Sequence, residues 1–162
     1  MPHEKEQTDL EKLKKEYATL RTKYKLPSFD DFDAEFDIRK IDPELSLPHE
    51  LRHAINLRLQ GFAAWFEPVL NPSSGSLHSM IETKIFEKQE LEPMFLLYKK
   101  LWSLVHEGLY AGLQSEEKEI EFVKKVWKEW PAMKKQIMEF VGRLAEGWKK
   151  HDKEKIRDSY SG

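Results

Sequence analysis

The stretch PHELRHAINLRLQGFAAWFEPVL, Pro48 to Leu70, decides the fold. Leu51, Ile55, Leu59, Phe62, Phe66 and Val69 follow one another at steps of three and four. On a helix of 3.6 residues per turn they share one face, which Trp65 widens. Gly61 stands in the middle, where glycine costs about 1 kcal/mol against alanine, so a neighbouring helix is expected to approach there. Pro68 predicts a kink or a shortened last turn.

Towards the N-terminus, Leu10, Leu13, Tyr17, Leu20 and Tyr24 form a narrower helical stripe. Thr8 with Glu11 reads as a capping box, which leaves residues 1–7 as a frayed terminus. Leu26-Pro27 ends this helix, because the residue before proline resists the α conformation. Ser28 then caps a short acidic-aromatic helix in which Phe29, Phe32 and Phe36 lie on one side and Asp30 and Asp31 favour the positive end of the dipole. Ile38 to Leu47 reads as a connector with room for one turn after Asp42-Pro43.

Towards the C-terminus, Asn71-Pro72-Ser73-Ser74-Gly75 is the clearest break. A moderate helix from Ser76 to about Phe86 is expected to turn Leu77, Met80, Ile81 and Ile85 inward. The next, from about Lys88 to Leu109, carries Met94, Leu97, Tyr98, Leu101, Leu104, Val105 and Leu109. Ser115 caps a further helix buried through Ile120, Val123, Val126, Trp127 and Trp130. Pro131 either kinks it or opens a last helix with the stripe Met133, Ile137, Phe140, Val141, Leu144 and Trp148. Nowhere does apolar and polar alternation with period two persist. The expectation is an all-α, single-domain bundle of four to five main helices plus the short acidic-aromatic one, spanning 8–148, with a charged tail over 149–162.

Composition bounds the function. The 162 residues suit one domain, with 40% hydrophobic content for a core and 35% charged residues for solvated helix faces. With no cysteine, disulfides, thiolate metal sites and cysteine nucleophiles are excluded. No secretory signal follows Met1, and the apolar patches Gly61–Phe66 and Met94–Tyr98 are too short to span a bilayer, so a cytoplasmic protein without membrane contact is expected. The net charge of −2 conceals an acidic stretch from Ser28 to Glu50 and a basic one from Lys118 to Arg157. The two either mark a partner surface or neutralise each other within the fold.

One motif has the form of a metal site. His49-Glu50-Leu51-Arg52-His53 is His-Glu-x-x-His, whose two imidazoles share a helix face and could grip zinc while Glu50 activates a bound water. Random placement gives roughly 0.03 such matches in a chain of this composition. Context works against it. The motif lies at a helix start, Arg52 puts a cation inside it, and Asn56 and Leu59 stand where an extended protease pattern has glycine and a third histidine. Glu67, Glu82, His78 or His106 could serve as third ligand, with nothing to select among them. Glu50-x-x-His53 also has the spacing of di-iron bundles, but no second such pair exists.

Other candidates are weaker in chemistry. Lys124, Lys125, Lys128, Lys134 and Lys135 near Trp127 and Trp130 could follow a nucleic-acid backbone while an indole stacks on a base, or could be a solvated face over core tryptophans. Phe29, Phe32 and Phe36 are either a partner anchor or a lid on the core. Ser73, Ser74, Ser76 and Ser79 cluster near His78 without the elbow of a serine hydrolase, and no glycine loop cradles a nucleotide.

Leu26-Pro27-Ser28-Phe29-Asp30-Asp31-Phe32, the Leu70-Asn71-Pro72 break and Phe122 to Trp130 resemble stretches of small archaeal all-helical proteins of uncharacterised function. The resemblance extends from Leu13 onward and implies a helical fold without catalytic residues. The expected role is therefore a non-catalytic protein-interaction module of a cytoplasmic assembly, bound to a protein partner or to a second copy, and using no cofactor. An RNA- or ribosome-associated factor and a zinc-dependent hydrolase are the alternatives.

Overall fold

The computed structural model describes the backbone of residues 2–72 and 76–159 and the side chains of residues 6–72 and 76–150. Met1, Ser73–Gly75 of the expected break and Tyr160–Gly162 of the expected tail lie outside the described residues. Within them the chain forms α1 (Pro2–Tyr24), α2 (Phe29–Phe36), α3 (Leu47–Leu70), α4 (Leu77–Thr83), α5 (Lys88–Gly112) and α6 (Glu116–Ser159), with a 3₁₀ turn at Ile38–Lys40. No strand occurs among the described residues. Four helices are long and two are short, in keeping with the apolar stripes.

The helix ends follow local chemistry. Lys25 closes α1 in the left-handed region (φ 58°), its N–H donating to the Arg21 carbonyl at 2.7 Å, and Pro27 prevents continuation. The Ser28 hydroxyl accepts from Asp31 N at 3.1 Å, and Asp37 ends α2 at φ 54°. Ser76 and Ser115 cap α4 and α6 in the same way, accepting from Ser79 N and Lys118 N. Glu87 N donates to the Glu90 carboxylate at 2.8 Å, which fixes the start of α5 at Lys88 despite Pro93.

Several boundaries and faces differ from expectation. α1 begins at Pro2, where proline's fixed φ and missing N–H suit a first turn, and not at Thr8. α6 runs unbroken through Pro131 for 44 residues, with the proline on an exposed side where water can hydrate the carbonyl it leaves unpaired. Gly61 is exposed, and a Cβ there would meet nothing within 4 Å, so no helix approaches it. On α4, Leu77 and Met80 face solvent while Ser79, Ile81 and Glu82 are buried, a rotation of the expected stripe. Trp65 and Leu109 are about half exposed.

The sequence reads as one helical domain, whereas the contacts group the residues into two compact units. Unit 1 comprises Met1–Leu59 and Leu104–Lys128; unit 2 comprises Gln60–Ser103 and Glu129–Gly162. Unit 1 buries Leu13 and Tyr17 of α1, Phe32 and Phe36 of α2, Leu51, Ile55 and Leu59 of α3, Leu104 and Val105 of α5, and Ile120, Val123 and Val126 of α6. Each such side chain contributes about 1.5–3 kcal/mol of transfer free energy. The Tyr17 hydroxyl donates to the Pro27 carbonyl at 3.0 Å, and burial holds its phenol pKa above the usual range. Unit 2 buries Ala63, Phe66 and Val69, then Ile81, Phe86, Met94, Leu97 and Leu101, and finally Trp130, Met133 and Ile137. Phe140 lies edge-on to both Phe66 and Phe86.

Candidate interaction surfaces

The first turns of α3 carry His49, Glu50 and His53, and the structure gives them separate surroundings. Arg52, in the same motif, is buried and donates from Nε to Glu119 Oε2 at 2.8 Å; both side chains are nearly inaccessible. His49 Nδ1 lies 3.1 Å from the same carboxylate oxygen, and its Nε2 lies 3.2 Å from Arg52 Nη2. His53 is exposed and Glu50 half-buried. A guanidinium at this distance from the imidazole opposes a dication, so the residues around His49 do not fit a zinc ion. Among the described residues, no group of three or more histidine, aspartate or glutamate side chains gathers where it could hold a metal. The motif's most consequential residue is Arg52, whose partner Glu119 lies 67 positions away and carries no sequence signal.

Below this pair, Asn56 donates from Nδ2 to the Val105 carbonyl at 3.3 Å, and its buried Oδ1 has no partner. Gly108 of α5 makes the arrangement possible. A Cβ there would stand 2.4 Å from Asn56 Oδ1 and 2.8 Å from Phe122 Cζ. This is the close approach expected at Gly61.

Of the aromatic trio, Phe32 and Phe36 belong to the core of unit 1 and Phe29 is half-buried. Phe32 stacks on Trp127 at 5.4 Å between centroids, and Tyr17 meets Phe29 edge-on at 5.5 Å. α2 thus closes the core. Trp130 is buried in unit 2 with its ring 5.9 Å from Phe62. Neither indole is offered to a base. Lys124, Lys125, Lys128, Lys134 and Lys135 are all exposed, and Lys125 is tied to Glu107 at 2.5 Å.

Four acids of the acidic stretch are paired with cations of α1 or of the stretch itself. Asp33 accepts from Arg39 N at 2.8 Å and pairs with its guanidinium at 2.5 Å; Asp37 pairs with Lys40, Asp30 with Lys14, and Glu44 with Lys12. Burial pushes the Asp33 carboxyl up, but the bonds from Arg39 outweigh it and hold the pKa below the ordinary value.

The surface that sequence reasoning missed is where α5 ends and α6 begins, in unit 1. Leu109, Tyr110 and Leu113 are 48%, 65% and 85% exposed. Tyr110 lines a groove of about 240 Å³ with Ala111 and Phe122 at its floor and Glu107, Lys118, Glu121 and Lys125 at its rim. Lys118–Glu121 and Lys125–Glu107 are ion pairs of 2.7 and 2.5 Å, so the rim is charged but balanced. The available signal was Leu113 itself, a leucine in a turn that belongs to no helical stripe.

No family model, curated protein or solved structure matches the chain. The functional reading therefore rests on these surfaces alone.

In unit 2 the polar groups are arranged differently. Glu82 of α4 is buried; its Oε1 accepts from Trp148 Nε1 at 3.1 Å and lies 3.3 Å from His78 Nε2. The His78 and Trp148 rings lie 5.3 Å apart. Arg143 pairs with Glu90, donates from Nη2 to the Ile85 carbonyl at 3.1 Å, and rests over the Phe86 ring. Of the two described serines near His78 in sequence, Ser76 caps α4 and Ser79 is buried with its hydroxyl donating to the Pro68 carbonyl at 2.9 Å. No helix of the described residues is long and apolar enough to cross a membrane.

Proposed function

We propose that the chain is a non-catalytic helical protein-interaction module of a cytoplasmic assembly, and that it meets its partner protein at the corner between α5 and α6. One observation carries this reading: Tyr110 stands exposed in the lining of a groove with an apolar floor and a charged rim, and Leu109 and Leu113, close to it in sequence, are exposed as well. A tyrosine inside a polar rim has the anatomy of a binding anchor, since tyrosine is enriched among the few residues that supply most of the energy at an interface. Lys125 contributes to the rim, whereas Lys124, Lys128, Lys134 and Lys135 lie outside the groove lining. For an RNA- or ribosome-associated role the lysines would need aromatic platforms, and Trp127 and Trp130 are committed to packing.

The test compares the native chain with a Tyr110→Ser/Leu113→Ser variant, each purified from the same source. Both residues are exposed, so the melting temperature should stay within the equivalent of about 0.5 kcal/mol. A protein recovered in stoichiometric amount with the native chain should be lost from the variant. Equal recovery by both, or none by either, overturns the proposal.

A further inference from the structure

Unit 2 contains an open-mouthed cavity of about 260 Å³ between α4 and α6. Ile81 and Ile85 supply its apolar floor; Lys84, Arg143 and Lys150 surround it, with Glu146 the one acid of the lining among the described residues. The floor is fixed by Gly147, since a Cβ at that position would fall 2.6 Å from three carbons of Ile85, so the isoleucine packs directly on the α6 backbone. The wall is fixed by Arg143, held between Glu90, the Ile85 carbonyl and the Phe86 ring. Among the described residues neither Lys84 nor Lys150 has a carboxylate partner, although the other cations of this unit's exterior include the pairs Lys100–Glu129 and Arg143–Glu90. With Glu90 set against Arg143, the lining keeps an excess of positive charge.

We propose that this cavity binds a small monoanion with a short aliphatic body, of the aliphatic carboxylate class. The isoleucine floor needs apolar surface to cover it, which inorganic phosphate lacks. Lys84 and Lys150 supply flexible ammonium donors for one carboxylate. Glu146 repels further negative charge and so disfavours dianions. Among the described residues no aromatic ring or glycine loop lines the cavity, so the groups that hold a nucleotide are not found in that lining. The site is independent of the corner between α5 and α6, and either proposal stands without the other.

The experiment follows the isoleucine methyl signals of the full chain by NMR while hexanoate is added, with hexylamine and inorganic phosphate as comparison probes. Hexanoate should shift the Ile81 and Ile85 methyls saturably, with a dissociation constant on the order of millimolar for so small a ligand. A Lys84→Gln/Lys150→Gln variant, altered only at exposed positions, should keep its melting temperature and bind roughly tenfold more weakly. The proposal fails if hexanoate gives no saturable shift, if hexylamine or phosphate shifts the same methyls as strongly, or if the double variant binds hexanoate as well as the native chain.

Discussion

Unit 1 buries Asp33 and Glu119 and unit 2 buries Glu82, and Glu119 and Glu82 are answered in opposite ways. Glu119 in unit 1 meets a buried guanidinium, Arg52, and a histidine. Glu82 in unit 2 meets an indole N–H and a half-exposed histidine, and its Oε2 is buried without a partner. Unit 1 answers both of its buried carboxylates with guanidinium groups, Asp33 with Arg39 and Glu119 with Arg52. Unit 2 answers its buried carboxylate with the indole N–H and His78 and leaves Lys84 and Lys150 uncommitted outside. Where a fold places its countercharges decides which kind of surface remains for other molecules.

The sharpest break in that comparison is to neutralise each carboxylate in turn. Glu119→Gln leaves Arg52 buried without a countercharge and should cost about 3–5 kcal/mol in urea unfolding, whereas Glu82→Gln, which keeps an acceptor for Trp148, should cost about 1 kcal/mol. An Arg52→Met/Glu119→Leu pair should recover most of the loss, because matched apolar residues remove both desolvation penalties. Equal costs for the two single variants would erase the distinction between the units.

Glycines give a second contrast. Gly108→Ala forces a methyl against Asn56 and Phe122 and should destabilise by about 1–3 kcal/mol. Gly61→Ala, on an open exposed face, should stabilise by up to about 1 kcal/mol. Thermal melts of the two variants check both signs.

The smallest effect concerns Asp33. Its folded pKa lies below the unfolded value of about 3.9, so its contribution is complete above that value and is lost as pH falls through the folded one. Asp33→Asn should therefore cost about 1 kcal/mol at neutral pH. The difference from the native chain should shrink as the medium is acidified below about pH 4. A gap that widens in acid would contradict the Arg39 bonds as its source.

Much of the fold was legible in the sequence because apolar periodicity reports burial directly. The α3 and α5 stripes, the Ser28 and Ser115 caps and the end of α1 before Pro27 all appear where local chemistry placed them. What escaped notice had non-local causes. The α4 stripe turned because Ser79 bonds to the Pro68 carbonyl and Glu82 to Trp148, partners distant in sequence. Pro131 reads locally as a kink or as the start of a last helix because its missing hydrogen bond is evident in the sequence, while its solvent-facing position is not. The His-Glu-x-x-His pattern gives no hint of the Arg52–Glu119 pair, since only the fold brings Glu119 to Arg52. The exposed corner and the cationic cavity were hidden because isolated leucines and lysines look the same whether or not they have neighbours.

The distribution of indoles has a practical consequence. Of the five tryptophans, Trp127 alone falls in unit 1, packed on Phe32, while Trp65, Trp102, Trp130 and Trp148 fall in unit 2. The chain therefore carries built-in optical reporters. With Trp127 replaced by phenylalanine, intrinsic emission would follow the second unit alone, and subtraction from the native signal would recover the first, so the order in which the two melt can be timed without attaching a dye.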